Sequence, residues 1–549
     1  MIGRLALKRA ERKTCPLTKG AAMLKRAEFL AGFGASLFVL TQGATAQPMP
    51  GGVLRVGIKL SPTSMDPQFR LAGEQNLLRG CHARLISMTP DGKPTPGIAQ
   101  SWRAVGDGRA WEITLNPAAK FSDGSPITSQ DVAFSIRRIP RLEGSAGGYQ
   151  IFVRAIKDIE ILDAGRLLIK TEEPYPFMAE DLTEIAIVAA SLGEDFKPAD
   201  FNAGKARVFS GPYALVDYRF GEFVTMRRNP HWFGAKPEFE EVQFRVIPND
   251  SGRIAALLSG DVQAIDEVSI PDIARLRSNN AMDVSQIAGM RVMYVALDMD
   301  RDVTPHIRDN NGQAMTKNPL KDVRVRLALS HAINRTAIVD RVMEGAASVA
   351  SDVLPPGTPG TSSRLKPVAF EPDRARRLLA EAGYPSGFQI TIHATNDRYP
   401  NDEKVAQAIA QFWTRIGVKT EVQTMPNAAY FPAAARQSFT VMAAQYGADN
   451  ISYAYRALLH TFNRDAGLGT ANRTRHSSPR ADALVAEALK TMDEAKRNEL
   501  FAQATDIAIG EEAIMLMIYY PAYVYAARKP VSTVPYYNGA FLPQGLIRR

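Results

Sequence analysis

The clearest alternation of apolar and polar positions in the chain lies at 388–450. Phe388-Gln-Ile-Thr-Ile-His-Ala-Thr395 has period two, that of a strand buried on one face. Asn401 then stands where a helix cap is expected. Behind it Val405, Ile409, Phe412, Trp413 and Ile416 fall on one face at helical spacing. Gly417 suits a left-handed residue just past that helix. Val418-Lys-Thr-Glu-Val-Gln-Thr424 alternates again, and an apolar run at 439–446 breaks at Gly447-Ala-Asp-Asn450. Strand, helix and strand with short links predict a βαβ unit, hence a parallel pair. In open α/β sheets ligands settle beyond the carboxyl ends of strands. The loops 395–398 and 446–450 hold that position, which makes them the first candidates for a binding site.

Elsewhere the pattern is mixed, and the fold class expected is α/β (mixed α+β). A strand is predicted at 51–58, then a turn, Ser61-Pro-Thr-Ser-Met-Asp-Pro67, in which both prolines bar a helix. A helix at 74–85 carries Leu77, Leu78, Cys81 and Leu85 on one side. Residues 111–115 read as a strand, and Asp123-Gly124 marks a turn. Thr128 with Asp131 forms a capping pair that opens a helix at 129–138. A hairpin turns at Asp163-Ala-Gly165. Residues 292–297 read as a buried strand, and helices follow at 319–344, 373–382, 480–491 and 493–509. The last strands are expected at 513–520 and 523–527.

Composition changes the picture mainly at the N-terminus. Met23-Leu-Lys25-Arg26, an apolar run at 29–40 and Ala44-Thr-Ala46 form a leader with cleavage predicted after Ala46, which implies export to the periplasm. So short a run cannot span a bilayer. Of the 66 Lys and Arg and 57 Asp and Glu, the leader holds 8 and 2, leaving 58 against 55. The basic excess therefore belongs largely to the leader, and nothing in the remainder argues for nucleic acid. Only Cys15 and Cys81 occur. With Cys15 in the leader, no internal disulfide can form, and Cys81 reads as a small buried apolar residue. There is no phosphate-binding loop, no nucleophile elbow and no H-E-x-x-H motif. The seven histidines are scattered, with no two within one helical turn. No catalytic residue, metal site or cofactor is expected.

Five stretches, in order, carry a resemblance. The first runs from Pro94-Thr-Pro-Gly-Ile-Ala-Gln-Ser-Trp102 to Phe121-Ser-Asp-Gly-Ser-Pro-Ile-Thr-Ser-Gln-Asp-Val-Ala-Phe-Ser135. The second is Ser210-Gly-Pro-Tyr213 with Asn229-Pro230 and Trp232, and the third is Leu257-Leu-Ser-Gly-Asp-Val262. The fourth begins at Asn318-Pro-Leu-Lys-Asp-Val323 and ends at Arg335; the fifth joins 373–383 with Ile416-Gly-Val418. Together they resemble the bacterial extracellular solute-binding proteins of family 5, the dipeptide, oligopeptide and nickel receptors of ABC importers.

This resemblance implies a two-lobed periplasmic-binding-protein fold with an extra α+β domain on the first lobe. Lobe one would span 47–298, with the extra domain at roughly 90–205. Lobe two would span 299–517, and a tail at 518–549 would return to lobe one. The crossings would fall near 297–301 and 515–520. The implied function is a receptor that binds a peptide or peptide-like zwitterion and delivers it to ABC permease subunits. An opine, sugar or metal-chelate binder is the alternative, with a periplasmic hydrolase behind it. A monomer is expected. In the family's peptide binders an Asp in the loop matching 446–450 receives the ligand's ammonium, and Asp449 falls there; the other reading is that it caps the helix beginning at Ile451. Tyr446, Gly447 and Asn450 share that loop. Dipeptide binders resemble Arg-Pro-Tyr-Asn-Pro in the partner loop, where this chain has Asn396 in place of the Arg and Arg398 in place of the Tyr. Arg398 either supplies a guanidinium from a shifted position or is a solvated charge. Leu71, in the turn after Pro67, completes the candidate ligand set.

Overall fold

The computed structural model describes residues 52–69, 76–90, 92–142 and 149–549. The leader at 1–46 and Leu71 lie outside the described residues. β1 (Val53–Ile58) buries Leu54, Val56 and Ile58. A separate antiparallel sheet follows, made of β2 (Ala99–Val105), β3 (Ala110–Leu115), β4 (Ile156–Asp163) and β5 (Arg166–Thr171) in the order β2–β3–β5–β4. Helix α1 (Ser129–Arg138) packs on it through Val132, Ala133 and Ile136. Its predicted capping pair is present: the Thr128 N–H donates to Asp131 Oδ2 at 2.8 Å. Asp123 Oδ1 accepts from the Ser125 N–H at 2.9 Å in the predicted turn. Cys81 is buried in the core beneath β1, and that burial pushes its thiol pKa up.

The chain then returns to β1. β6 (Tyr213–Arg219) and β7 (Phe223–Arg228) form a hairpin, and β8 (Glu241–Val246) joins β7 antiparallel and β1 parallel. β9 (Ala264–Ile265) takes the other side of β1. Next come β10 (Met282–Ala288) and β11 (Arg291–Leu297), separated only by Gly289 and Met290. The predicted βαβ unit is β12 (Gln389–Thr395), α2 (Asp402–Thr414) and β13 (Lys419–Met425), the two strands pairing in parallel from Gln389 with Lys419 to Thr395 with Met425. Helix α2 buries Val405, Ile409 and Trp413, and the Trp413 indole N–H donates to the Leu329 carbonyl at 2.9 Å. A buried indole needs such an acceptor. Gly417 is left-handed at φ 96°. Asn401 departs from the cap expected of it: its φ is 54°, and its amide donates to the Val342 carbonyl at 2.7 Å. Helix α3 (Asn427–Ala435) leads to β14 (Val441–Gly447), which pairs in parallel with β12 on the side away from β13.

The last strand is one element where the alternation suggested two. β15 (Met515–Arg528) pairs through 515–519 with β11 and through 522–528 with β10. Pro521 has no N–H to give a ladder. It sits where the partners change, and its carbonyl accepts the Gly289 N–H at 3.0 Å. β15 thereby joins one group of strands, β13–β12–β14–β11, to another, β9–β1–β8–β7–β6, in a single 13-stranded sheet. The change of partners falls at 288–291 and 519–522, against the expected crossings at 297–301 and 515–520. Gly289 fits the crossing because a Cβ there would lie 2.7 Å from the Pro521 carbonyl oxygen and 2.7 Å from Tyr523 Cε2. Gly289→Val is therefore expected to lower stability by about 1–3 kcal/mol through overpacking. A urea titration showing a lower midpoint at an unchanged slope checks this.

Candidate functional site

The strand order creates an opening. From β12 the chain moves outward through α2 to β13, then returns through α3 to β14 on the opposite side of β12. Loops leaving the carboxyl ends of β12 and β14 therefore diverge, and a crevice forms between them. A cavity of about 160 Å³ lies there, lined by Arg398, Tyr399, Gln445 and Arg291 from this part of the sheet and by Lys59 and Asn538 from across it.

One buried carboxylate shapes the first loop. Asp402 Oδ2 accepts the Thr395 hydroxyl at 2.6 Å and the Arg398 and Tyr399 N–H groups at 3.2 Å each. A buried carboxylate is tolerated only with such partners, and these three fix the path of 395–399. The Tyr399 hydroxyl then donates to the Gln445 carbonyl at 3.2 Å, tying the end of β12 to the end of β14. Arg398 is half-buried, and its guanidinium carbon lies 5.7 Å from the centre of the Tyr399 ring.

The second loop carries Asp449, which is half-buried. Tyr537 and Asn538 lie beside its carboxylate, with Glu184 and Arg79 close by, and the Tyr537 hydroxyl donates to Met88 Sδ at 2.7 Å. Arg79 Nη2 donates to both Glu184 carboxylate oxygens, at 2.8 and 3.0 Å. Burial pushes the Asp449 carboxyl up to about 6, with Glu184 raising it further and Arg79, Tyr537 and Asn538 opposing the rise. Tyr537 is fixed from elsewhere: its carbonyl accepts the Met290 N–H and its own N–H donates to the Pro90 carbonyl, both at 3.0 Å. Asn538 both lines the cavity and lies beside Asp449, so the carboxylate borders the cavity through that residue.

The other candidates are placed differently. Asn450 caps the helix Ile451–Ala454, its side chain accepting the Tyr453 N–H at 2.8 Å. That cap leaves the Asp449 carboxylate for other partners. Tyr446 is half-buried, with its ring centre 6.1 Å from that of Tyr453. Gly447 pairs with Arg291 in the ladder between β11 and β14. Asn396 is exposed and does not line the cavity. Sequence reasoning missed Arg291, Lys59, Gln445 and Asn538. The one signal available was positional, since Arg291 and Gln445 each stand at an end of an apolar run. Among the described residues no group of three or more His, Cys, Asp or Glu side chains is placed to hold a metal ion, and no helix is long and apolar enough to cross a membrane.

The model of the bacterial extracellular solute-binding proteins, family 5 Middle, matches residues 93–466. The chain belongs to this family. As a family 5 solute-binding protein it is 27% identical over 440 residues to heme-binding protein A of Haemophilus influenzae, covering 74% of this chain and 76% of that one. It is 25% identical over 463 residues to the dipeptide-binding protein of Escherichia coli, covering 79% and 82%. The ABC transporter-associated periplasmic binding protein DppA of Helicobacter pylori, solved in complex with the peptide STSA, superposes with a TM-score of 0.74 at 22% identity, covering 90% of this chain and 98% of that one. The fold is thus the mixed α/β, two-lobed periplasmic-binding-protein fold. This family 5 protein is a solute-binding receptor of ABC import.

Proposed function

We propose that the receptor works in the periplasm as a monomer, captures a short peptide or peptide-like zwitterion in the cavity between the strand-end loops, and passes it unchanged to permease subunits in the inner membrane. Lobe one is taken as 47–288 with the returning tail from 522, and lobe two as 291–519, since the sheet changes partners at those points. The ligand's ammonium goes to Asp449 and its carboxylate to Arg398, whose planar fork matches that group. Tyr446, Gly447 and Asn450 shape the loop that carries Asp449; Asn396 and Leu71 are retained as candidate ligand contacts.

One observation carries this reading. Asp449 is a half-buried carboxylate that borders the cavity through Asn538, and no helix cap claims it. An arriving ammonium would make a charge-assisted hydrogen bond with it. Mass spectrometry of the solute that co-purifies, followed by calorimetry with it, is the direct test. Binding confined to uncharged sugars would remove the zwitterion reading.

The raised carboxyl also sets a pH dependence. The ammonium binds the ionised form of Asp449, and in the free receptor that form is lost as pH falls through about 6. Affinity for amine-bearing ligands is therefore expected to level off above pH 7 and to be about tenfold weaker at pH 5, because only roughly one-tenth of the carboxyl is then ionised. Binding near pH 6 should release about half a proton per ligand. Titration calorimetry in two buffers of different ionisation enthalpy measures that release.

A further inference from the structure

A buried ion pair joins segments from the two sides of the crossing. Asp181 lies in the helix Met178–Leu182, which precedes the crossing, and Arg456 in the helical turn Tyr455–Leu459, between β11 and β15. Arg456 Nη2 donates to Asp181 Oδ1 at 2.9 Å, and Nη1 donates to the Tyr175 hydroxyl at 2.8 Å. That hydroxyl donates in turn to Asp181 Oδ2. Only 1% of the Asp181 side chain and 8% of that of Arg456 is exposed. None of the three residues lines the cavity.

The surfaces around this pair are not a finished core. The Arg497 guanidinium carbon lies 5.2 Å from the centre of the Phe177 ring. Arg456 Nε and Arg497 Nε on one surface, and Glu180 Oε2 on the helix that carries Asp181, are buried without a hydrogen-bond partner. A buried polar atom left unpaired costs free energy that water returns once the atom is exposed. The charge-assisted grip of Arg456 on Asp181 is thus set against three unanswered atoms. A permanent contact is held as firmly by well-packed apolar groups. Two ions suit a contact that has to part, since each is well solvated once exposed.

We propose that Arg456, Asp181 and Tyr175 form a latch that holds the two lobes together and sets how readily they part, from outside the ligand site. This rests on the lobes taken above for the receptor reading. The energetics of such a latch are distinctive. With one ion removed, the other is stranded only while the surfaces touch, and opening hydrates it. The loss therefore falls on closure and leaves folding intact.

Small-angle X-ray scattering and urea unfolding of the full receptor test the inference, on protein refolded from urea and dialysed so that no solute is carried over. Arg456→Met and Asp181→Leu are each expected to raise the radius of gyration above that of the unmodified receptor. Their urea midpoints should stay within about 0.3 M of its own. The double change, Asp181→Leu with Arg456→Met, leaves no ion to hydrate and should return the radius to the unmodified value. An unchanged radius in both single variants, a lower midpoint, failure of both to fold, or a radius still raised in the double change overturns the inference. None of these results involves a solute, so the receptor reading stands or falls separately, by the mass spectrometry and calorimetry above.

Discussion

Asp449→Asn is expected to weaken amine-bearing ligands by about 30- to 3000-fold while leaving the receptor folded. Truncating one partner of a desolvated, hydrogen-bonded charge pair costs about 2–5 kcal/mol, and each 1.4 kcal/mol is tenfold in affinity. The large value follows from what the ligand would meet. With the carboxylate gone, an ammonium would enter a half-buried position beside the Arg79 guanidinium, with Glu184 already held by that guanidinium at 2.8 and 3.0 Å. Folding is expected to be spared for two reasons. The helix at Ile451–Ala454 is capped by Asn450, so the change removes no cap. The Asp449 carboxyl also has a folded-state pKa raised to about 6. A group raised in this way stabilises the fold less and less as pH rises from its unfolded value to its folded one, so at pH 7 the ionised form is a cost. A neutral amide relieves that cost, and thermal stability at pH 7 should hold or rise. Calorimetry and thermal unfolding on the same sample separate the two effects. An affinity that does not move would take Asp449 out of the ligand site.

The parts of this site that could be read from the sequence are those set by local periodicity and by a topology rule. β12, α2 and β13 announce themselves through alternation, a helical apolar face and Gly417, and the parallel pairing follows from the short links. Once the strand order is known, the two loops follow, because the rule needs only the strand ends. Side chains that close the cavity from elsewhere leave no such mark. Asn538 lies in a tail without periodicity, and Lys59 lies just past β1. Arg291 faces Gly447 and Tyr399, which are far away in sequence. Local preference misled in two places. Pro521 reads as a strand breaker, yet a proline costs no ladder bond where the partners change. Asn401 reads as a cap, yet its amide serves the Val342 carbonyl. The turn at 61–67 reads as a polar strand end like the two ligand loops, and its carboxylate turns out to be fully enclosed.

That enclosed carboxylate gives the second large expectation. Asp66→Ala should destabilise the fold by about 3–5 kcal/mol, the usual cost of breaking a buried ion pair from one side. The Asp66 side chain has no exposed surface and that of Arg138 only 6%. Arg138 grips the carboxylate with both terminal nitrogens, Nη1 donating to Asp66 Oδ1 at 3.0 Å and to Gln68 Oε1 at 2.9 Å. The Gln68 amide in turn donates to the Ser135 and Ala186 carbonyls, at 3.0 and 2.9 Å. The turn that follows β1 is thereby bonded to helix α1, which packs on the four-stranded sheet. With alanine at 66 the guanidinium stays buried against the Phe201 ring with its counter-charge gone. Asp66→Asn should fall between the two, since an amide oxygen can still accept from the Gln68 N–H, now 2.9 Å from Asp66 Oδ1, without supplying the charge. Urea unfolding of the three proteins measures the series. The double change Asp66→Leu with Arg138→Met then separates breaking the pair from lacking it. Replacing both ions by apolar groups of similar volume is often neutral or stabilising, so the double variant should recover most of what Asp66→Ala loses. If it does not, the network through Gln68 carries the stability, and the ion pair is secondary to it.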